Sequence, residues 1–174
     1  MDKVKQWLCP QEVALDLDVP NRREALRAVG TIVERSHGLS APLIFRALWR
    51  RELAASTAIG NGFAIPHARI TGITAPVTVY VRTRTPLDFG ASDRKRTVEF
   101  YAILVPANGD NAWHLQLLAQ VAEVCADRNF RVCLAAASSP QEVRSVFSQW
   151  IAMRHADAAI ASSGPQHDAG VLAH

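Results

Sequence analysis

Sulfur is scarce in this chain. Its 174 residues include three cysteines. Cys9, Cys125 and Cys133 are odd in number and show neither CxxC nor metal-ligand spacing, which argues against a disulfide framework. They read as reduced cytosolic thiols, with Cys125 and Cys133 expected to be buried on helices. Long apolar runs are missing too. Met1-Asp2-Lys3-Val4-Lys5 leads into no run of signal-peptide length, and Tyr101-Ala102-Ile103-Leu104-Val105 is far short of a bilayer span. No strong excess of one charge appears: the formal net charge is +3, with acidic residues interspersed. The densest basic cluster, Arg94-Lys95-Arg96, directly follows Asp93 and reads as a solvated turn. A nucleic-acid surface calls for a longer basic stripe, often with stacking aromatics. The expectation is a cytoplasmic protein with no nucleic-acid partner and no direct membrane insertion.

Chemical signatures are equally sparse. Without a GxxxxGK[ST] loop, direct nucleotide use has no support. There is no HExxH or paired Cys/His spacing, and no motif supports Asp88, Asp93 or Asp110 as the further ligands a zinc site would need, so no metal or cofactor is expected. No GxSxG elbow supports a serine nucleophile. Internal repeats are absent.

What is present is 49% hydrophobic sequence, enough for one domain with a sizeable core. Glu12 to Val19 alternates with period two and predicts an extended edge segment. Asn21 and Glu24 have capping-box spacing. Leu26, Val29, Ile32 and Val33 then repeat at helical intervals up to Gly38. Ser40 is a candidate cap for a second helix with Leu43, Ile44, Ala47, Leu48 and Trp49 on its apolar side, ending near Ala54 or Ala55. Val77 to Thr83 is a β-branched strand, and Pro86 and Gly90 mark a turn. Val98 to Val105 is continuously apolar, as in a central strand covered on both faces. A helix over about 112–126 should bury Leu115, Leu118, Ala119, Ala122 and Cys125. Phe130, Val132, Leu134 and Ala135 suggest a short element. A last helix starts at Ser138 or Ser139 and carries Val143, Val146, Phe147, Trp150 and Ile151. The pattern is α/β, a small mixed β-sheet flanked by helices, in one domain over 1–153. The Ala/Ser/Gly/Pro/His/Asp-rich stretch 154–174 is expected to be a disordered tail.

The most distinctive segment is Gly60-Asn61-Gly62-Phe63-Ala64-Ile65-Pro66-His67. Pro66 locks its own φ and pushes Ile65 out of the helical region, so the approach to His67 is extended and stiff. A rigid loop ending in one imidazole suits a histidine that must react. From spacing alone it reads equally well as a tight strand connection with an incidental histidine. Of the other histidines, His155, His167 and His174 fall in or beside the tail, and His37 suits a helix C-terminus. His114 stands near a helix start just after the central strand, where unpaired N–H groups and the dipole favour an anion.

Together these residues resemble a known family. Ser56-Thr57, Ile59-Gly60-Asn61-Gly62 and Ala64-Ile65-Pro66-His67 are similar to the active-site signature of the enzyme IIA domains of the fructose/mannitol class in the bacterial phosphotransferase system. Arg51-Glu52 resembles that family's Arg-Glu helix end. Leu104-Val105-Pro106-Ala107 with His114-Leu115 and Leu118-Ala119 resembles its Leu-Val-Pro strand and His-Leu helix. The match spans roughly residues 10–150, and the nitrogen-regulatory (PtsN-like) branch fits best because the domain stands without transport modules. The resemblance implies an enzyme IIA type 2-like sandwich with His67 as phosphoryl acceptor through Nε2 and His114 as second active-site histidine. It also implies Arg51 as a site arginine, and Ser56, Thr57 and the Gly62 loop amide as phosphate contacts. The implied donor is HPr or a nitrogen-branch counterpart. Regulatory targets, such as a kinase or potassium transporter, are the implied output partners, with a IIB sugar-transport domain as the alternative. Ala68 departs from the pattern, in which glycine commonly follows the histidine.

Overall fold

Alternation near the chain start produces β1 (Glu12–Leu17), and the computed structural model, which describes residues 8–162, sets it at a sheet edge. Asn21 caps α1 (Arg22–His37), its side-chain oxygen accepting the Glu24 amide at 3.0 Å. That helix ends where Gly38 enters the left-handed region at φ 67°, freely open to glycine. α2 (Ala41–Ala54) begins after Ser40, whose hydroxyl makes no capping bond; Pro42 in the first turn marks the start. Its buried face is Ile44, Phe45 and Leu48, whereas Leu43 is 40% exposed rather than buried.

Three short strands follow, β2 (Ala58–Gly60), β3 (Phe63–Ala64) and β4 (His67–Ile70). Two long ones come next, β5 (Val77–Leu87) and β6 (Thr97–Pro106). The turn expected at Pro86 starts later, because Pro86 lies within β5. A proline is tolerated there: β1 pairing ends at Thr83, and the β6 ladder is irregular between Arg82↔Glu99 and Leu87↔Thr97.

β6 is the central strand, antiparallel to β5 and parallel to β3 and β4. The mixed six-stranded sheet runs β1-β5-β6-β3-β2, with β4 pairing β6 farther along its length. Alternate β6 residues explain its unbroken hydrophobicity. Phe100, Ala102 and Leu104 pack towards α1 and α2, while Tyr101, Ile103 and Val105 join a second core with the later helices. Burying each large apolar side chain contributes roughly 1.5–3 kcal/mol.

The second core is roofed by α3 (Asn111–Ala126), α4 (Arg128–Ala136) and α5 (Pro140–Ser162). α3 turns inward a face that overlaps the expected one only in part: Cys125 is buried and Leu118 and Ala122 pack partly buried against the core, but the most buried positions lie beside them. His114, Leu117, Val121, Val124 and Cys125 are buried, and Leu115 is 64% exposed. Apolar residues occupy most of this helix's circumference, so spacing alone does not select a face. The short element at Phe130 is helical, burying Phe130 and Leu134 one turn apart; Cys133 faces solvent, contrary to expectation. α5 continues to Ser162, past the boundary expected at 154, and 163–174 lie outside the described residues. Among the described residues, no helix is long and apolar enough to cross a membrane.

Candidate active site

Strand β4 presents the central histidine through simple alternation. Ala68 and Ile70 point into the α1/α2 core, so His67 and Arg69 share the opposite face. Among the described residues β4 has only β6 as a ladder partner, which leaves its other side open to side chains from α2 and α3. Pro66 precedes the strand, and its carbonyl accepts the Ile103 amide at 2.9 Å, anchoring the approach to β6.

The imidazole of His67 is held by both nitrogens. Nδ1 lies 2.8 Å from the Ile65 carbonyl. A carbonyl can only accept, so Nδ1 carries the proton and Nε2 carries the lone pair. Arg51, in the last turn of α2, donates its Nε to that Nε2 at 3.1 Å. Its Nη1 donates to the Ala55 carbonyl at 2.8 Å, which orients the guanidinium on the helix end. Burial pushes the His67 pKa below its ordinary value, the Ile65 bond opposes this, and the Arg51 charge lowers it further. His67 is therefore neutral at pH 7, with a nucleophilic nitrogen.

The loop after β6 supplies the second histidine. Asp110 caps α3 by accepting the Ala112 amide at 2.9 Å, and the His114 amide bonds the Asp110 carbonyl at 3.2 Å. His114 lies in the first helical turn with its ring 5.8 Å from that of His67, tilted by 55°. Its Nδ1 is buried with no hydrogen-bond partner. Burial, then the neighbouring His67, then Arg69 lower its pKa to about 4. Both imidazoles stand in an open cleft of about 470 Å³, lined also by Arg50, Arg51, Arg69, Ala54 and Ala68. Three arginines around two neutral imidazoles form a seat for an anion. Among the described residues, no three His, Cys, Asp or Glu side chains converge as a metal site.

The structure brings His67, His114 and Arg51 together. Ser56, Thr57 and Gly62 lie elsewhere. Ser56 Oγ donates to the Phe89 carbonyl at 2.5 Å and accepts the Ala58 amide at 3.1 Å. Thr57 is buried, its hydroxyl donating to Glu52 at 2.5 Å and its amide to the same carboxylate at 3.2 Å. Gly62 takes φ 79° in the turn before β3, and its carbonyl accepts the Val98 amide at 2.9 Å. The bonds that Ser56, Thr57 and Gly62 make here fix the path from α2 to β4. The hydroxyls are committed to buried acceptors, and the Gly62 turn pairs with β6.

Sequence reasoning passed over Arg50 and Arg69, and took Glu52 only as half of the Arg51-Glu52 helix end. Arg69 had a usable signal, since it stands two residues after His67 on the same strand face. The Arg51-Glu52 motif marked Glu52 but not its environment: a carboxylate 2% exposed, accepting from Thr57 and 3.6 Å from Arg22, is a product of tertiary packing.

A mixed sheet with a histidine on β4, a second histidine at the head of α3 and an arginine closing α2 defines a class. Residues 7–150 match the family described as phosphoenolpyruvate-dependent sugar phosphotransferase system, EIIA 2, and the chain belongs to that family. The more particular likeness is to nitrogen regulatory proteins. The chain is 35% identical to the nitrogen regulatory protein of Klebsiella oxytoca over 130 residues, covering 74% of this chain and 80% of that one. The crystal structure of nitrogen regulatory protein IIA-Ntr from Neisseria meningitidis superposes with a TM-score of 0.73 at 32% identity, covering 78% and 92% of the two chains. A fructose-specific EIIA component of Haloferax volcanii is also 35% identical, over 103 residues that cover 59% of this chain and 66% of that one.

Proposed function

We propose that this protein is a cytoplasmic phosphohistidine carrier of the phosphotransferase system. His67 accepts a phosphoryl group from an HPr-like protein, and the product acts mainly as a nitrogen-related regulator through phosphorylation-dependent partner binding. The observation that carries the reading is the Nδ1 bond from His67 to the Ile65 carbonyl, which aims the Nε2 lone pair at the arginine-lined cleft.

The step follows from that geometry. The Nε2 lone pair forms a bond to phosphorus as the donor's P–N bond breaks, and its electron pair returns to the donor imidazole. The His67 ring gains positive character, which the Ile65 carbonyl stabilises through Nδ1–H. Arg51 leaves Nε2 and follows the equatorial oxygens, with Arg50 adding charge from the same helix. His114, neutral at pH 7, offers an N–H to a phosphoryl oxygen. Positioning and charge are the main requirements of phosphoryl transfer.

A phosphoryl group adds charge approaching −2 to a cationic cleft, which reverses its preference for protein partners. A protein kinase or potassium transporter is the kind of target that this regulation reaches. The similarity to a fructose-specific component supports a second reading, transfer onward to a IIB domain. Intact-mass spectrometry after incubation with enzyme I, HPr and phosphoenolpyruvate, under non-acidic conditions, tests the carrier reading. One added phosphate, absent in His67→Ala, is the expected result. No added mass with a verified cognate donor overturns it and leaves a binding module.

A further inference from the structure

Arg69 differs from the other two arginines of the cleft in what it holds. Its Nη1 donates to the Ala107 carbonyl at 3.2 Å and to the Gly109 carbonyl at 3.3 Å, and its Nη2 donates to the Asn111 side-chain oxygen. All three acceptors lie on the short connection that leaves β6 and enters α3. Asn111 is the first residue of α3, and His114 lies three residues on. The guanidinium fork therefore ties the strand that carries His67 to the segment that aims His114. A planar fork can span three acceptors in this way, whereas an ammonium cannot match the geometry.

We infer that Arg69 is a positioning residue, a clip that sets the distance and orientation of His114 against His67 and thereby prepares the cleft for the phosphoryl group. Three observations carry it. The fork's contacts lie on the loop and not on either imidazole. The His114 Nδ1 is buried without a partner, so a polar group of that ring is held by its surroundings rather than by a hydrogen bond of its own. The β6–α3 connection is otherwise tied to β4 at its start, where the Ala107 amide bonds the Ile70 carbonyl at 2.9 Å. Beyond that point the Arg69 fork is the contact that reaches from β4 to Gly109 and Asn111.

The charged and titratable groups around His114 come from two elements besides its own: His67 and Arg69 from β4, Arg50 and Arg51 from α2. Arg69 acts on His114 twice over. Its positive charge disfavours the imidazolium directly, and by fixing the loop it holds the ring in the buried place where desolvation, the larger effect, also disfavours the charge.

The part of the inference that concerns transfer rests on phosphorylation of His67; the part that concerns His114 does not. The test uses the full chain with Arg69→Gln and Arg69→Lys, read by NMR titration of the His114 ring in unphosphorylated protein and by single-turnover transfer from phosphorylated HPr. In Arg69→Gln the His114 titration should rise by about one unit, as its cationic neighbour and its seclusion are lost. Transfer at saturating donor should slow ~10-fold with little change in the donor concentration at half-saturation, the mark of a lost transition-state contact rather than lost docking. Arg69→Lys keeps the charge without the fork, so it should restore part of the titration shift but not the rate. An unmoved His114 titration in a folded Arg69→Gln variant overturns the clip, as does a rate loss confined to donor affinity or fully restored by lysine. Should Arg69→Gln fail to fold, Arg69→Lys alone decides: an unchanged rate overturns the inference. Wild-type protein that accepts no phosphate refutes the carrier reading, while the NMR arm still judges the clip.

Discussion

Arg51 Nε and His67 Nε2 lie 3.1 Å apart, on the side of the ring opposite the Ile65 carbonyl. An arginine thus occupies the position that a phosphoryl group would take in the proposed reaction, beside the nitrogen proposed as nucleophile. Arg51→Ala should lower the rate of His67 phosphorylation by ~10²-fold. It should also raise the His67 pKa, because the guanidinium charge contributes to its depression. NMR titration and single-turnover kinetics measure the two effects, and an unchanged rate would remove Arg51 from the reaction.

Transfer should be flat with pH near neutrality and fall in acid. Both imidazoles titrate below their ordinary range, so His67 keeps its lone pair at pH 7 and loses it only as the pH drops below about 6.5. A rate that already fell by half between pH 8 and 7, with the donor's own titration accounted for, would contradict the assigned protonation state.

Stability should follow the same sign. A histidine whose folded pKa is lowered contributes stability that is complete above its unfolded value and is lost as the pH falls towards the folded one. For His114 that window runs from 6.5 down to about 4. The loss should be of order 2 kcal/mol across it, and His114→Gln should flatten the slope. Urea titrations at several pH values supply the comparison. His114→Ala should also slow transfer ~10-fold while leaving His67 able to accept some phosphate.

Thr57→Val separates a phosphate contact from a structural one. The Thr57 hydroxyl donates to Glu52, which is 2% exposed, so its loss should cost ~1–3 kcal/mol of stability. Phosphorylation at saturating donor should survive at a temperature where the variant is folded. Loss of phosphorylation without loss of stability would restore the hydroxyl to the phosphate site.

Gly30 sets the closeness of the first two helices. A Cβ there would lie 2.6 Å from the Ala41 carbonyl oxygen, a backbone atom that cannot rotate away. Gly30→Ala should cost ~1–3 kcal/mol from overpacking, although alanine is the better helix former by ~1 kcal/mol. A thermal melt showing stabilisation would mean that the α1–α2 pair adjusts freely.

Local rules made much of the fold legible. The Asn21 and Gly38 caps, the β1 alternation and the central apolar strand all depend on neighbours within a few residues, and the structure shows them where spacing put them. The misjudged parts share a cause. The inward face of α3, the exposure of Cys133 and the proline inside β5 depend on what packs opposite, which spacing does not encode.

Sequence alone determined the stiff Pro66-His67 approach, the long strands and the main helices and the residue types needed for the chemistry, because backbone dihedral limits and side-chain periodicity act locally; the short strands β2, β3 and β4 were not legible in it. Tertiary structure decided which groups meet. It carried Arg51 onto the Nε2 of His67, the His114 ring to 5.8 Å from it and Arg69 across to the α3 loop. It also withdrew the Ser56 and Thr57 hydroxyls into structural bonds. Those choices depend on the crossing of β4, α2 and α3 at one open sheet edge. Residues far apart in the chain come within hydrogen-bond distance there only once both cores have closed.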